Sequence, residues 1–522
     1  MPVYDAFNAF STRIIHSRHE AAAVFMAEAY AAVSGQIGVA LVTAGPGFGN
    51  ALGALFSASR SEVPVVLLSG DSPVSQDGKG AFQQFEQVAA ASPFVKLSLR
   101  LSSGDDPAEV FTYAASIAQR GIPGPVHIAL PFDLLNTHIN LDQLSTPEAS
   151  QSMVERGSAI PSTSQVARIA DILRTAQRPL ILAGPHLFRG EKQIDGENLA
   201  TAFDVPVITL DSPRGLQDPA KGALPSLLSV ADYVIYLGKS IDFSSGFGHQ
   251  EVMPAAKLII INEDVQTLAL EKNRLGERLI AAEQVDPAAM VSELIGYAAD
   301  SEILQNQDRK NWCETADTAL HHRQLAETSE QAKFSKAVVD IIAETLTDYP
   351  DAVLVCDGGE FGQWAQAFVN SKTRLTNGPA GAIGGSLSYA IGAKIARPDV
   401  PVIAIMGDGT AGFHFAEFET AARESLGITV LIGNDSRWNA EHHIQLQNYG
   451  EERAFGCELS PGTRYDIAAE GFGCDGELIT ELCRLPSCLA TGLDSTRPTC
   501  INVIIPGAPA PQYSEFDLSS SR

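Results

Sequence analysis

The chain has 522 residues, 45% hydrophobic and 19% charged, and a formal net charge of -26. That length exceeds what one core holds and, at about 100–200 residues per domain, predicts three domains of ordinary globular composition. The acidic excess argues against nucleic acid or an anionic membrane surface as partner, and no apolar run reaches the ~18 residues of a membrane span.

The opening MPVYDAFNAFSTRIIHSRHE has neither the layout of a signal peptide nor the bias of a transit peptide. Seven cysteines, odd in number and without a CxxC pair, fit neither a disulfide framework nor a zinc site. The expectation is reduced thiols in a cytoplasmic protein. Arg18-His19-Glu20 then runs into AAAVFMAEAYAAVSG, whose Ala-rich composition predicts a helix that opens near Glu20 and ends at Gly35. Residues 39–43 read as a buried strand, and AGPGFGN after them as a glycine turn opening a second helix. Gly45-Pro46-Gly47-Phe48-Gly49 departs from G-x-G-x-x-G and no acidic ribose contact follows, so a dinucleotide loop is the weaker reading. VPVVLLSGD is another buried strand, and residues 121–133 hold the closing strand of a first domain set at 1–138.

Residues 136–164, rich in Ser, Thr, Pro and Gln, have linker composition. Next, Val166, Ile169, Ala170 and Leu173 fall on one helix face, and RPLILAG, DVPVITL, ADYVIYLG and AKLIIIN repeat a strand-then-glycine pattern. They set a middle α/β domain over 162–298, which a polar, charged stretch at 299–332 links to a last domain, 333–508. In the last domain, 352–355 is a strand ending at Asp357-Gly358-Gly359-Glu360, a backbone cradle suited to a diphosphate.

The most informative stretch is VPVIAIMGDGTAGFHFAEFETAARESLGITVLIGNDSRWNAEHHIQ, residues 400–445. The apolar runs 402–406 and 428–432 stop at Gly407-Asp408-Gly409 and Gly433-Asn434-Asp435. Phe415, Phe418, Ala422 and Leu426 recur between them at helical spacing, so the unit reads strand, helix, strand, a right-handed crossover in a parallel sheet. Ligands of open α/β sheets sit at the carboxyl ends of the strands, so Asp408 and Asp435 can share one ion there. Glycines admit a bulky anion, and a hard cation held by one or two carboxylates and completed by phosphate oxygens is how Mg²⁺ is usually bound. The chemistry implied is a metal-clamped diphosphate.

GDG, a helix, a second strand and an Asn-Asp pair are similar to the thiamine diphosphate (ThDP) signature of the acetolactate synthase-like superfamily. The tract from Arg18-His19-Glu20 to Gly45-Pro46-Gly47 resembles its pyrimidine-binding domain, with Glu28-Ala29-Tyr30 in place of Asp/Glu-Gly-Tyr. The likeness covers nearly the whole chain and implies three doubly wound parallel-sheet domains, pyrimidine-binding, middle and diphosphate-binding. It makes Asp408 and Asp435 ligands of Mg²⁺, with a main-chain carbonyl near Arg437 as the third, and makes Glu20 the partner of N1′ of the aminopyrimidine. A carboxyl group in a desolvated apolar site keeps its proton more readily, so it can protonate N1′ and favour the 4′-imino tautomer that removes the thiazolium C2 proton.

The same resemblance places Gly45, Pro46, Gly47, Asn50, Gly358, Gly359, Gly407, Gly409, Thr410 and Trp438 at cofactor-binding positions. The Gly381 carbonyl would meet the 4′-amino group, and Ile383 would wedge between the two rings, where a stiff branched side chain is suited. Gln83 matches a glutamine beside the thiazolium, although a surface-helix Gln fits the residues equally well. His443, with His442, is the candidate acid–base group beside the metal loop, or else a surface histidine.

Three departures shape the expectation. Members of the superfamily usually carry roughly 25–30 more residues at the start, about one βα unit, so the expectation is either a truncated start or a version that lacks an edge of its first sheet and part of its substrate pocket. Asp435 stands where Asn is commoner, an extra carboxylate that predicts strict dependence of cofactor binding on the cation. Residues 238–243, GKSIDF, replace an R-F-D-D-R tract of true acetolactate synthases, which leaves FAD doubtful.

The function implied is a ThDP- and Mg-dependent lyase or carboligase acting on a 2-oxo acid or 2-hydroxy ketone through a C2 ylid and an enamine. The superfamily shares each site between subunits, which implies a homodimer or homotetramer. Benzaldehyde lyase-like cleavage is the alternative, suggested by Trp438, Ala440, His442, His443 and Gln445. A ThDP-binding but catalytically inactive homologue is the alternative from another class.

Overall fold

The computed structural model describes residues 2–137, 159–299, 307–326 and 329–518. The described residues within Met1–Gln119, Pro123–Glu155 and Ser329–Ala510 form one compact unit, and those within Arg120–Ile122, Arg156–Thr328 and Pro511–Arg522 a second. Most of the linker read at 136–164 lies outside the described residues.

In the first unit, β1 (Gly38–Val42), β2 (Val65–Asp71), β3 (Leu97–Arg100) and β4 (Val126–Pro131) make a parallel sheet in the order β1-β2-β4-β3. Val65, Val66 and Leu67 are wholly buried, as strands covered on both faces require. The helix expected from Glu20 runs Glu20–Ser34. The Ala21 N–H donates to His19 Nδ1 at 3.1 Å, which caps its start, and Gly35 ends it in the left-handed region at φ 71°.

The second unit holds β5 (Pro179–Ala183), β6 (Val207–Thr209), β7 (Tyr233–Leu237), β8 (Lys257–Asn262) and β9 (Leu279–Gln284), parallel in the order β6-β5-β7-β8-β9. Val166, Ile169, Ala170 and Leu173, the stripe read from the sequence, are the buried face of the helix Thr163–Thr175. Strand β9 escaped the sequence because its exposed and buried residues alternate instead of forming an apolar run. The stretch read as a link at 299–332 contains a helix, Gln307–Leu320, that belongs to the core through Trp312 and Ala316.

Back in the first unit, β10 (Val353–Cys356), β11 (Thr373–Thr376), β12 (Val402–Gly407), β13 (Thr429–Asn434), β14 (Asp475–Ile479) and β15 (Thr499–Ile504) form a six-stranded parallel sheet in the order β11-β10-β12-β13-β15-β14. The chain thus carries three parallel α/β sheets. The helix expected between β12 and β13 is shorter than its apolar spacing suggested. Asp408–Ala411 and Glu417–Arg423 are separate helices, and Phe415 and Leu426 lie in the turns around them. Phe418 and Leu426 still join the common core, because a turn can aim an apolar side chain inward as well as a helix can.

One core cluster runs from Val24, Ala54 and Leu55 beside the first sheet to Val355, Ala404 and Ile432 of the last. The helices Glu20–Ser34 and Ser386–Ala396 meet there with no side chain between them at Gly392. A methyl group at Gly392 would stand 2.3 Å from the Met26 carbonyl oxygen. Tyr389 Oη donates to Glu28 Oε2 at 3.0 Å and lies 2.9 Å from Ser57 Oγ, so the buried Glu28 carboxylate is hydrogen-bonded.

In the second unit, the buried Arg309 guanidinium donates to the carbonyls of Leu173, Ala176, Phe203 and Asp204 at 2.6–2.8 Å. It closes the carboxyl ends of two helices, Thr163–Thr175 and Gln193–Phe203. Arg309→Met would strand those carbonyls and is expected to destabilise the protein by about 3 kcal/mol. Urea denaturation checks this, and a loss no larger than that of an exposed Arg→Met control would contradict it.

Candidate active site

Strands β12 and β13 pair in register with Gly407 opposite Gly433, so both end at one level of the sheet edge. Asp408 and Asp435, which follow them, are brought together there. The Gly409 N–H donates to Asp408 Oδ1 at 3.0 Å, while Oδ2 is buried with no hydrogen-bond partner among the described residues. Burial, and after it the charge on Asp408, push the Asp435 carboxyl up to about 7, and burial pushes Asp408 up as well.

The loop after β13 turns sharply, with Ser436 at φ 56°. Trp438 N–H donates to the Cys457 carbonyl and Leu459 N–H to the Ser436 carbonyl, both at 2.7 Å, and neither bond uses the Arg437 carbonyl. Gly409 has no room for a side chain, since a methyl group would stand 2.8 Å from Trp438 Cε3. Thr410 Oγ1 donates back to the Gly407 carbonyl at 3.0 Å and Tyr465 Oη to the Asp408 carbonyl at 3.3 Å. The segment after β15 crosses this edge, where a methyl group at Gly507 would stand 2.7 Å from Asp435 Oδ2.

Strand β10 ends beside β12. Asp357, wholly buried, accepts the N–H groups of Gly358 at 2.7 Å, Gly384 at 3.0 Å and Ser386 at 3.3 Å, and so ties the loop 381–386 to the strand end. Gly381 and Gly384 have φ 67° and 84°, and a methyl group at Gly358 would stand 2.6 Å from Ile383 Cγ2. Gly358, Gly381 and Ile383, some 25 positions apart by their numbers, therefore sit in one corner.

The first sheet supplies the other group. A methyl group at Gly47 would stand 3.0 Å from Glu20 Oε1, and Asn50 Nδ2 donates to Glu20 Oε2 at 3.1 Å. Gly45 abuts the backbone of Gln83, which holds a left-handed φ of 60°. Gln83 thus lies in a turn against the Gly45-Pro46-Gly47 corner, not on the surface helix that its sequence also allowed. Glu20 is half-buried, so the dry apolar surroundings expected for it are only partly supplied by the protein. The His19 ring stands edge-on to His414 at 5.3 Å, and His414 Nδ1 lies 2.9 Å from the Gly384 carbonyl. The pyrimidine-side and diphosphate-side residues of the chain lie in the same compact unit. His443 stands on the helix Asn439–Tyr449, its ring 5.9 Å from that of His442.

The corner fits a cation and a diphosphate. A buried carboxylate oxygen without a donor, a second carboxylate beside it and the Arg437 carbonyl are an oxygen donor set for a hard divalent ion. Gly359 and Gly407, where a methyl group would meet nothing within 4 Å, leave room for an anion. Among the described residues no group of three or more His, Cys, Asp or Glu side chains could hold a metal, so such an ion needs main-chain and ligand oxygens. Asp357, Tyr465 and Gly507 were not singled out by the sequence. Asp357 carried the strand-end signal of Asp408, whereas Tyr465 and Gly507 arrive from distant segments with no local mark.

In the cation-free protein the raised Asp435 pKa has a definite sign. An unfolded Asp titrates near ~3.9. Between that value and about 7 the folded protein holds a proton that the unfolded chain has released, so this site loses stability as pH rises through the window. Melting temperatures in chelator should fall from about pH 5 to about pH 8 more steeply for the wild type than for Asp435→Asn. Added Mg²⁺ should raise the wild-type Tm more at the higher pH. Equal slopes for the two proteins would contradict the pairing of the carboxylates.

Residues 1–90 match the family model for the thiamine pyrophosphate enzyme N-terminal TPP-binding domain, and residues 357–503 the model for the C-terminal TPP-binding domain, thiamine pyrophosphate being a synonym of ThDP. The acetolactate synthase large subunit of Mycobacterium tuberculosis is 29% identical over 518 residues, covering 96% of this chain and 90% of that protein. The 2-hydroxyacyl-CoA lyase 2 of Homo sapiens is 29% identical over 532 residues, covering 92% of this chain and 81% of that protein. Matched in both cofactor-binding halves and aligned almost end to end with such relatives, the chain is similar to the thiamine diphosphate enzymes of the acetolactate synthase-like family.

Proposed function

We propose that the protein is a ThDP- and Mg²⁺-dependent lyase or carboligase that acts on a 2-oxo acid or a 2-hydroxy ketone. The observation that carries this reading is the buried Asp408 Oδ2, without a hydrogen-bond donor among the described residues, beside Asp435 and in the same unit as Glu20 and the Gly45-Pro46-Gly47 corner. When bound, ThDP supplies a nucleophilic thiazolium carbon and an electron sink for the acyl fragment. Asp408, Asp435 and the Arg437 carbonyl would hold the cation, and the Gly359 and Thr410 amides, beside Gly358 and Gly409, the diphosphate. The Gly381 carbonyl and Ile383 would orient the aminopyrimidine, and Trp438 would wall the site beside Gly409. Glu20 would hold the proton at N1′, steadied by Asn50. Gln83 and His443 would face the substrate, the amide as hydrogen-bond donor and the imidazole as acid–base group.

Cleavage of a 2-hydroxy ketone, as in benzaldehyde lyase, is the second reading. It is favoured by residues 238–243, where Lys239 Nζ donates to Asp242 Oδ2 at 2.6 Å and so is not free to take a substrate carboxylate. The same closed tract gives FAD no support. Seven free thiols suit the cytoplasm, and exposed Phe10, Phe82 and Phe455 suit burial in a homodimer or homotetramer. No described helix is long and apolar enough to cross a membrane.

Loss of the C2 proton of bound ThDP in deuterated water is expected to run much faster than in free ThDP, and Glu20→Gln to slow it by roughly 100-fold or more. Exchange at the free-cofactor rate would leave a non-catalytic homologue as the reading. Metal-stripped protein should fail to bind ThDP by calorimetry, because the two carboxylates repel a bare diphosphate; equal affinity with and without Mg²⁺ would refute the assigned cation site. Product analysis with pyruvate, benzoylformate and benzoin separates decarboxylation from ketone cleavage.

A further inference from the structure

Glu417 opens the helix Glu417–Arg423 that follows the Asp408 turn, and it is wholly buried. Its carboxylate is spent on the far end of the chain. Oε1 accepts the N–H of Arg18 at 2.9 Å and the N–H of His19 at 3.0 Å, Oε2 lies 3.2 Å from the Arg18 N–H, and Thr420 Oγ1 donates to Oε2 at 2.6 Å. These are the two amides immediately before Glu20. We propose that Glu417 is the positioning residue for Glu20, fixing the carboxylate that serves N1′ against the half of the site that holds the diphosphate.

The physical reason lies in the place of Glu20 at the first position of its helix: the His19 carbonyl accepts the Ala23 N–H at 3.3 Å, but the Arg18 and His19 amides have no intrahelical acceptor. His19 is extended there, at φ -138° and ψ 143°, and its Nδ1 is occupied by the Ala21 N–H. Only an acceptor outside the helix can hold the Arg18 and His19 amides, and a buried carboxylate holds both with charge-assisted bonds. An amide in its place offers one acceptor oxygen, carries no charge and turns its NH₂ toward the Arg18 N–H, which lies 3.2 Å from Oε2. The His19 ring against His414, with His414 at the Gly384 carbonyl, is a second tie between the same two segments. The path before Glu20 is thereby referenced to the loop of Gly381 and Ile383 and to the turn of Asp408. Glu417 touches none of the groups assigned to the cofactor, so its action is on geometry alone.

This assignment rests on the reading of Glu20 as the N1′ partner, and the test separates the two. C2-proton exchange of bound ThDP is measured with Mg²⁺ in the wild type, Glu417→Gln, Glu20→Gln and the double variant, alongside ThDP affinity by calorimetry. The expected result is exchange slowed roughly 10- to 100-fold in Glu417→Gln with affinity nearly unchanged. The double variant should be no slower than Glu20→Gln alone, since a residue acting through Glu20 has nothing left to act on. Circular dichroism of the bound cofactor should show the imino tautomer reduced in Glu417→Gln.

Losses that multiply in the double variant, or a fall in affinity as large as the fall in exchange, would overturn the proposal. If Glu417→Gln does not fold, Glu417→Asp, which keeps the charge and shortens the reach, carries the same cycle and the same outcomes. Wild-type exchange no faster than free ThDP would refute the role of Glu20 itself, and the positioning role with it.

Discussion

The close packing of the helices Glu20–Ser34 and Ser386–Ala396 is the constraint on which the site depends. Gly392 lets the two backbones approach with the Met26 carbonyl against the Gly392 α-carbon, and Tyr389, Ser57 and Glu28 satisfy one another in the same buried seam. Each helix starts at a functional corner. The first opens on Glu20 and the second directly after the loop of Gly381 and Ile383, so the seam behind them sets how those corners face each other. A side chain at Gly392 would push on backbone, which cannot yield as a flexible side chain can.

Buried carboxylates in this unit divide into two kinds by what meets them. Asp357 and Glu417 are saturated with amide and hydroxyl donors, and each ties together segments distant in sequence. Asp408 and Asp435 instead face each other with a bare oxygen between them, which is costly in a folded protein unless a proton or a cation is present. Donor count therefore separates structural acids from those placed for a ligand, at positions where burial alone does not. Of the four acids in this unit of a chain of formal charge -26, two accept several hydrogen bonds from the fold, and Asp408 keeps one oxygen without a donor among the described residues.

The backbone follows the same logic of function against stability. Ser436 and Gln83 hold left-handed backbone without being glycine, one beside the metal-side carboxylates and the other against Gly45. Non-glycine residues adopt that region at a cost, and such strain gathers where a loop must present a particular atom. In the second unit the ties are of another sort. Arg309 closes two helix ends and Lys239 is matched to Asp242, so the charges there are spent on the fold.

The sequence alone carried the three parallel sheets, the helix at Glu20, the helix stripe at Val166 and the strand ends at Asp408 and Asp435, because each is written in a short window of apolar periodicity closed by glycine. It overran the helix after Asp408, missed β9 and took a core helix at Gln307–Leu320 for a link, since polar-rich segments that pack on only one face lack that signal. Tertiary structure decided which acids bind backbone and which stand open, that Gln83 belongs to the Gly45 corner, and that Gly507 passes over Asp435. Those facts depend on segments tens to hundreds of positions apart meeting at about 3 Å, and no local pattern of residues encodes a distance between them.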